Sequence, residues 1–357
     1  MGWVAAICLL GLPAGFLLLW KVPLCRERDS EEHEAVSVIV PARNEERNLP
    51  NLLKSIRQSV YQPAEVIVVD DASKDHTAEI GGAFGCLVLP SRSLPAGWTG
   101  KTWACYQGVG RAGADVLLFL DADTFFSRDG YKKIAATYCE KGSDFAAISV
   151  LPYHVIEKPY EELSLFFNLL MAMGAGGFGC LGRSRLFGQS LIISRDLYSS
   201  SGGHKAVFSC ILENFALASR IEATGGHCVN FGGRGALNIR MFPDGLTQLR
   251  EGWTKAFADG AAGSDPAVLA VAVFWLSALC ASFLLVGMAH GPWRAYFALL
   301  YLMFALQLFW LARKIGNFSA FSCLIYPLPL FFYFGIFGQS LYRRIFKKRV
   351  SWRGRTL

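Results

Sequence analysis

Long apolar segments lie at both ends of the chain, and they limit its possible folds more than any other feature. Residues 3–20 contain no charged side chain. Three further apolar blocks occupy residues 267–289, 295–312 and 317–342. About 20 apolar residues in a helix span the hydrocarbon core of a bilayer. The sequence therefore predicts an N-terminal transmembrane anchor in residues 1–24 and C-terminal membrane segments in residues 263–342.

Charged residues beside the first apolar segment indicate its orientation. Basic residues flank it only on the C-terminal side, at Lys21, Arg26 and Arg28. This pattern disfavours a cleaved signal peptide and places the following residues in the cytoplasm, since positive charge favours that side. Three complete C-terminal spans would then leave the basic tail outside, so one block is expected not to cross. Pro327 and Pro329 make block 317–342 the candidate for a helix broken near its middle and folded as a re-entrant hairpin.

Composition excludes several classes of protein. A hydrophobic content of 53% and a mean hydropathy of +0.33 are too high for an ordinary soluble enzyme. The ten cysteines include no Cys-x-x-Cys pair, so we predict reduced thiols rather than a disulfide framework. Seven of the basic residues lie in a tail, residues 343–357, and such a tail favours anionic membrane lipids as partners over nucleic acid.

Strands and helices alternate between the membrane segments, in a predicted domain of residues 35–262. Short apolar or β-branched runs predict strands at residues 36–40, 65–71, 86–90, 116–123 and 145–152, with the first strand ending at Pro41. Helical spacing of apolar residues lies between these runs. The alternation predicts an α/β fold with a mostly parallel sheet and helices on both faces. In such sheets ligands bind beyond the carboxyl ends of the strands.

Two of the predicted strands end in aspartates. Asp70 and Asp71 end one of them, and Asp121 and Asp123 end another, so parallel strands would bring four acids to one edge. Clustered carboxylates repel each other unless a cation compensates them. Mg2+ or Mn2+ takes oxygen ligands from one or two carboxylates together with substrate phosphates. The sequence predicts such a site, with a pair of solvated acids as the alternative.

Three motifs at these strand ends resemble the inverting glycosyltransferase family 2. In chain order they are SVIVPARNEERNL, VIVVDDASKDHT and LLFLDAD, and the resemblance covers about residues 36 to 262. It implies a GT-A fold, which is Rossmann-like and binds a nucleotide sugar at this edge of the sheet. The sequence contains no Gly-x-x-x-x-Gly-Lys-Ser/Thr loop and no Gly-x-Gly-x-x-Gly after the first strand, so other phosphate cradles lack support.

The resemblance implies roles for individual residues on the donor side. The loop after the first strand would enclose the nucleoside through Pro41, Arg43, Asn44 and Glu45. Asp71 or its neighbour Asp70 would contact the uracil edge, and Asp121 would contact the ribose or the diphosphate. Asp123, with Asp121, would bind Mg2+ or Mn2+. Lys101 would face the diphosphate, and its alternative interpretation is a solvated lysine at a helix start.

The catalytic base departs from the pattern of the family. The family has a Glu-Asp pair opening a helix, with the aspartate as the usual base, whereas CILENFALASRIEATGG has Glu213 and Asn214. Asparagine cannot accept a proton, so either Glu213 is the base or the acceptor needs none. A carboxylic acid is ionised at pH 7, since its reference pKa is about 4. Asn214 would then orient the acceptor carboxylate.

A narrower resemblance concerns a membrane branch of the family that acts on terpenoid lipids. It depends on LPAGWTGKTWACYQG (94–108), GGHKAV (202–207) and MFPDGLTQLREGWTKAFADGA (241–261), which resemble the staphyloxanthin-type 4,4'-diaponeurosporenoate glycosyltransferases and then the hopanoid-associated ones. The resemblance implies transfer of glucose from UDP-glucose to a carotenoid carboxylic acid, at the cytoplasmic face of the cell membrane. Alternatives are a hopanoid, polyprenyl phosphate or other lipid acceptor, or an inactive membrane scaffold.

The acceptor side is predicted from two further segments. Gln248, Arg250 and Trp253 are placed there because an aromatic ring beside an arginine can stack on a sugar or a polyene. An interfacial anchor is the alternative role of Trp253. Residues 163–181 are nearly as apolar as a membrane span but rich in glycine, and we predict a helix and loop covering the acceptor side, with an extra span as the alternative.

Overall fold

A seven-stranded mixed sheet and a set of long apolar helices are the two main features of the computed structural model. The structure describes residues 1–27, 34–142, 145–210, 212–260, 265–346, 351–352 and 355–356. The α-helices are α1 (Gly2–Leu18), α2 (Leu49–Arg57), α3 (Thr77–Ala83), α4 (Gly100–Val109), α5 (Gly130–Lys141), α6 (Leu165–Gly174), α7 (Arg195–Ser200), α8 (Gly203–Ala206), α9 (Glu213–Ala223), α10 (Leu246–Gly260), α11 (Pro266–Met288), α12 (Pro292–Ile315), α13 (Ala320–Leu324) and α14 (Pro327–Phe346). A 3-10 helix covers Pro159–Ser164. The strands are β1 (Val36–Ala42), β2 (Glu65–Asp70), β3 (Leu87–Pro90), β4 (Val116–Leu120), β5 (Thr124–Phe126), β6 (Ala146–Leu151), β7 (Tyr153–His154), β8 (Ser190–Ser194), β9 (His227–Gly232), β10 (Leu237–Ile239), β11 (Ser351–Trp352) and β12 (Arg355–Thr356).

The chain divides into two units. The sheet unit consists of Val22–His154 and Ser184–Arg240, and the helical unit consists of Met1–Lys21, Val155–Arg183 and Met241–Leu357. The predicted domain of residues 35–262 therefore contributes two of its segments to the helical unit. One of them contains α6, whose apolar side chains pack among the long apolar helices of that unit.

The large sheet has the strand order β3-β2-β1-β4-β8-β6-β9. β1, β2, β3 and β4 are mutually parallel, and β8 runs antiparallel to both of its neighbours, β4 and β6. The predicted α/β fold with a mostly parallel sheet is confirmed. β8 and β9 were not predicted, and β8 introduces the only antiparallel direction among the described strands of this sheet.

Alternation along β4 decides which residues share a face. Leu118 and Leu120 join one buried apolar cluster, while Leu117 and Phe119 join a second one that includes Ala104 and Cys105 of α4. Side chains of a strand alternate between the two faces of its sheet. The continuation of β4 therefore carries Asp121 toward the face on which α4 packs.

The prediction that Pro41 ends β1 is wrong, because Pro41 lies inside the strand. The strand continues to Ala42, and Pro41 lies opposite Val69 of β2. The pairing of β1 with β4 extends only to Ile39 opposite Phe119. Beyond Ile39 one side of β1 has no ladder partner among the paired residues, so a proline without an N–H group is tolerated there.

The apolar blocks form helices in the helical unit. Among the described residues, α11 and α12 are long and apolar enough to cross a membrane, and α1 is a shorter apolar helix of 17 residues. Residues 163–181 form the ten-residue α6 followed by a loop, as predicted. A helix of this length is too short to span a bilayer, so the alternative of an extra span is wrong.

The third apolar block is broken, but not by its prolines. The break falls at Ile325 and Tyr326, between α13 and α14, and Pro327 and Pro329 lie in the first turn of α14. Proline fits the first turn because its missing N–H group has no intrahelical partner there. The helix is then continuous over 20 residues, so no hairpin turn forms at Pro327 or Pro329. The side chains of the basic tail, residues 343–357, lie outside the described residues.

Two glycines of α1 allow it to pack closely within the helical unit. A Cβ atom on Gly11 would lie 2.2 Å from Cβ of Ala278 in α11, and one on Gly15 would lie 2.6 Å from Nε1 of Trp275. Gln307 of α12 accepts a hydrogen bond from Trp275 Nε1 at 3.0 Å and donates one to the Leu12 carbonyl at 2.5 Å. The N-terminal helix is thus an integral part of this bundle.

We expect Gly11→Ala to destabilise the bundle by about 1–3 kcal/mol, because the added methyl group overlaps Ala278. The matched control is Gly335→Ala, inside α14, where a new Cβ atom meets nothing within 4 Å. Both changes add the same helix propensity, so only packing differs. Thermal unfolding of the purified protein in detergent measures the difference, and equal melting temperatures for the two variants would contradict the close contact.

Candidate active site

The carboxyl ends of β2, β1 and β4 lie side by side at one edge of the sheet. Asp70 is the last residue of β2, and Asp121 follows directly after the last residue of β4. β1 lies between these strands, so their ends are about 10 Å apart at the usual spacing. The predicted acids do share an edge, but they form two groups, and each group has its own basic partner.

The first group joins Asp71 to Arg43. Asp71 is buried, with 5% of its surface exposed. Arg43 Nη1 donates a hydrogen bond to the Asp71 carbonyl at 2.6 Å and lies 3.5 Å from Asp71 Oδ2. The arginine compensates a carboxylate that would otherwise be buried at a high energetic cost. This pair fixes the loop after β1 against the end of β2.

The same two loops make further contacts through Asn44 and Glu45. Asn44 has a left-handed φ of 54°, its N–H donates to Ser73 Oγ at 2.9 Å, and its Oδ1 accepts from the Lys74 N–H at 2.8 Å. The buried Glu45 donates its N–H to Thr77 Oγ1 at 2.8 Å. These predicted nucleoside-binding residues therefore join the loop after β1 to the loop after β2. Their contacts with a nucleoside stay a prediction.

The second group is centred on Lys101, in the first turn of α4. Its Nζ lies 2.8 Å from Asp121 Oδ1, 3.1 Å from Glu213 Oε1 and 2.7 Å from the Gly188 carbonyl oxygen. These three partners match the three hydrogens of an ammonium group. The alternative of a solvated lysine is wrong, because only 24% of the side chain is exposed. Burial opposes the charge, but the carboxylates of Asp121 and Glu213 raise the pKa of Lys101 above its usual value.

Glu213 and Asn214 open α9, as predicted for the pair that replaces the Glu-Asp of the family. Both residues are buried, at 7% and 6% exposure. Asn214 Nδ2 donates a hydrogen bond to the Phe187 carbonyl at 2.8 Å. An aspartate could not make this bond, because an ionised carboxylate has no hydrogen to donate. The asparagine is therefore matched to its surroundings.

Asp121 and Asp123 lie in a turn rather than in an extended strand. The Thr124 N–H and Oγ1 donate to the Asp121 carbonyl at 3.1 Å and 2.8 Å, and this closes the chain between β4 and β5. Ala122, between the two acids, is buried at 3% exposure. The predicted strand of residues 116–123 therefore ends at Leu120.

The donor set suits a metal that is shared with a substrate. The described residues contain no group of three His, Cys, Asp or Glu side chains able to hold a metal ion by themselves. Mg2+ and Mn2+ bind through one or two carboxylates plus substrate phosphates, so Asp123 and Asp121 fit them. Lys101 occupies Asp121 Oδ1, and a metal would use Oδ2 or displace the ammonium group.

His204 of the GGHKAV motif belongs to the same face of the sheet. Its ring lies 4.9 Å from the ring of Phe119, and its Nδ1 lies 3.0 Å from the hydroxyl oxygen of Tyr198. Burial lowers the pKa of His204 to about 3, and the charge on Lys101 acts in the same direction. The imidazole is therefore neutral, and it supports the packing behind β4.

The three predicted acceptor-binding residues lie on α10, in the helical unit. Trp253 is buried at 2% exposure, stacks on Phe167 at 4.6 Å and donates from Nε1 to Ser164 Oγ at 3.0 Å. Both roles predicted for Trp253 are wrong, since its ring is covered by protein. Gln248 accepts a hydrogen bond from the Asp244 N–H at 2.9 Å, and Arg250 is exposed. Their acceptor contacts stay predictions.

Sequence reasoning missed the segment that completes the site, Gly188 and Gln189. The Gly188 carbonyl accepts from Lys101, and the Gln189 carbonyl accepts from the Asp121 N–H at 3.0 Å. The segment precedes β8, a five-residue run of sequence SLIIS. A glycine followed by a short apolar run is consistent with a strand, but the run alone does not separate a strand from a helix segment.

Comparison with known proteins gives a consistent result. The profile described as "Glycosyl transferase family 2" matches residues 37–198. The chain is 34% identical over 333 residues to the 4,4'-diaponeurosporenoate glycosyltransferase of Staphylococcus aureus strain USA300, covering 90% of this chain and 88% of that protein. The protein of the same name from strain Newman shows the same identity and coverage.

Solved structures also resemble this chain. A mannosyltransferase from Pyrobaculum calidifontis, in complex with GDP-Man and Mn2+, aligns with a TM-score of 0.54 and 18% identity, covering 97% of this chain and 99% of that one. The glucosyl-3-phosphoglycerate synthase of Mycobacterium tuberculosis, in complex with Mn2+ and UDP, aligns with a TM-score of 0.43 and 19% identity, covering 68% and 88%. The first of these similarities shows a common fold.

Proposed function

Because the chain belongs to glycosyl transferase family 2, we propose that it transfers glucose from UDP-glucose to a carotenoid carboxylic acid such as 4,4'-diaponeurosporenoate. The product would be a glycosyl ester. The observation that carries the proposal is the 34% identity, over 90% of the chain, to an enzyme named for that acceptor. The same identity makes the chain a glycosyltransferase, so the alternative of an inactive scaffold is not retained.

The contacts of Glu213 and Asn214 support a carboxylate acceptor. Glu213 forms an ion pair with Lys101, and it would have to give up this pair to act as a base. Asn214 cannot act as a base at all. An acceptor that is already ionised at pH 7 needs no proton removed before it attacks the sugar. A hopanoid, by contrast, would offer a hydroxyl group.

A divalent cation completes the proposed donor site. Asp123 and Asp121 would hold Mg2+ or Mn2+ together with the diphosphate of the nucleotide sugar. When bound, the metal neutralises the charge that develops on the leaving nucleotide diphosphate. Asp71 and Arg43 join the loops after β1 and β2, where the resemblance places the uracil ring. Lys101 supplies a fixed positive charge beside Asp121.

We place the protein in the cell membrane as a multi-pass protein with its catalytic domain in the cytoplasm. α11 and α12 are long and apolar enough to cross, and α1 packs against α11 in the same unit. Membrane lipids are therefore proposed partners, together with the nucleotide sugar and the terpenoid acceptor. The basic residues that follow α1 favour the cytoplasmic side.

The test of the proposed function is an acceptor comparison. Purified protein in lipid receives UDP-glucose and Mn2+ with a carotenoid acid, a hopanoid or a polyprenyl phosphate, and the products are identified by mass. We expect a hexosyl ester of the carotenoid acid as the main product. A main product from either of the other acceptors would contradict the proposed acceptor while leaving the donor assignment intact.

Asn214→Asp is expected to lower transfer to the carotenoid acid by about 10- to 100-fold. The variant loses the hydrogen bond to the Phe187 carbonyl and adds a negative charge beside an anionic acceptor. A terpenoid alcohol should be affected less, since it carries no charge. Asn51→Asp, an exposed change on α2, is the control, and kcat/KM for the two acceptors is the measurement. A wild-type preference for the alcohol would contradict the role given to Asn214.

A further inference from the structure

The side chain of Gln189 is a half-buried amide with no hydrogen bond inside the described part of the protein. Its Oε1 is buried without a hydrogen-bond partner there. Leaving a buried acceptor unpaired costs free energy, and native proteins rarely retain one without a reason. An amide offers two hydrogens and an acceptor oxygen, so it suits a group that can both donate and accept.

The backbone around Gln189 places it at the candidate active site. Its carbonyl accepts from the Asp121 N–H at 3.0 Å, which continues the pairing of Leu120 with Ser190 by one residue. The next pair is Phe119 with Leu191, and both belong to the apolar cluster on the α4 face. Alternation along β8 then carries Gln189 to the same face as Asp121.

Gln189 lies near residues of both the proposed donor side and the proposed acceptor side of the site. Asp121 lies on the proposed diphosphate side, and Glu213 and Asn214 lie on the proposed acceptor side. Gly188, directly before Gln189, lies between these groups: a Cβ atom there would be 3.8 Å from Lys101 Nζ and 3.9 Å from Asn214 Nδ2. In any glycosyl transfer the sugar lies between its leaving group and its acceptor.

We infer that Gln189 binds a hydroxyl group of the transferred hexose and helps to determine which sugar the enzyme accepts. A sugar hydroxyl can donate to Oε1, the side-chain atom of Gln189 that lacks a partner among the described residues. The inference rests on the proposed function, since it assumes that a hexose occupies this site. It makes Gln189 a specificity-determining residue that acts without a charge.

The test compares UDP-glucose with its 2-, 3-, 4- and 6-deoxy analogues in the wild type and in Gln189→Leu. For one analogue, we expect kcat/KM of the wild type to fall about 10- to 100-fold, as when a site loses a substrate hydroxyl. In Gln189→Leu the same analogue and UDP-glucose should differ by less than about threefold. Gln58→Leu, an exposed change at the end of α2, is the matched control and should keep the wild-type pattern.

Several outcomes would overturn the inference. A loss in Gln189→Leu by one common factor for all five donors would indicate a structural role only, and a change confined to the acceptor KM would place Gln189 on the acceptor. Thermal unfolding checks the fold, and Gln189→Met, which is unbranched, replaces the leucine variant if that variant unfolds. Failure of the wild type to transfer from UDP-glucose would instead overturn the proposed donor, and the two failures are thereby distinguishable.

Discussion

Asp123→Ala is expected to lower glucosyl transfer by about 1,000-fold, with the protein still folded. The proposed metal neutralises the charge on the leaving diphosphate, and loss of such stabilisation costs several kcal/mol of the barrier. Asp123 lies in the turn between β4 and β5, and the Thr124 N–H and Oγ1 close this turn by donating to the Asp121 carbonyl. The turn should therefore survive the substitution.

The measurement is Mn2+-dependent release of UDP from UDP-glucose, followed over a range of metal concentrations. Asp196→Ala is the matched control, because Asp196 is also an aspartate just after a strand but is exposed and follows the antiparallel β8. Its activity should equal that of the wild type. Retention of more than a tenth of the activity in Asp123→Ala, with unchanged dependence on the metal, would remove Asp123 from the metal site.

Strong local patterns allowed most of the sheet to be predicted. β1, β2 and β4 are apolar runs that are followed directly by polar residues, and their parallel order follows from the helices between them. β8 was missed because five residues of mixed Ser, Leu and Ile form too short a run to separate from a helix segment or a loop. Its antiparallel direction depends on pairing with β4 and β6, which no local pattern encodes.

Sequence motifs predicted which residues belong to the candidate site better than they predicted the contacts between those residues. Motifs identified Lys101, Asp121 and Glu213, but these residues are far apart in sequence, and only the fold shows that one ammonium group joins both carboxylates. The prediction for Trp253 was wrong because it assumed that the ring is accessible. The position of Trp253 near Arg250 suggested a ring that can stack on a sugar or a polyene, whereas packing against Phe167 and Phe242 buries the ring. Burial of an aromatic side chain is decided by tertiary contacts that periodicity does not show.

Lys101→Met is expected to lower both stability and transfer. Two carboxylates lose their common partner, and the Gly188 carbonyl loses its donor, so we expect the free energy of unfolding to fall by about 2–4 kcal/mol. Transfer should fall by about 100- to 1,000-fold, because the substitution removes a fixed positive charge beside the proposed diphosphate position. Lys101→Arg should not restore it, since a planar guanidinium cannot reproduce three bonds to a compact ammonium group.

The same substitution separates two roles of Lys101 through metal binding. With Asp121 as a proposed metal ligand, the ammonium group would compete with a divalent cation for it, so Lys101→Met should bind Mn2+ more tightly than the wild type when nucleotide is absent. Titration of Mn2+ by electron paramagnetic resonance measures this affinity, and Lys54→Met, at an exposed position on α2, is the control. A purely structural lysine would leave the affinity unchanged or lower it. Tighter metal binding together with lost transfer would mean that Lys101 holds Asp121 and Glu213 in place until the metal and the donor arrive together.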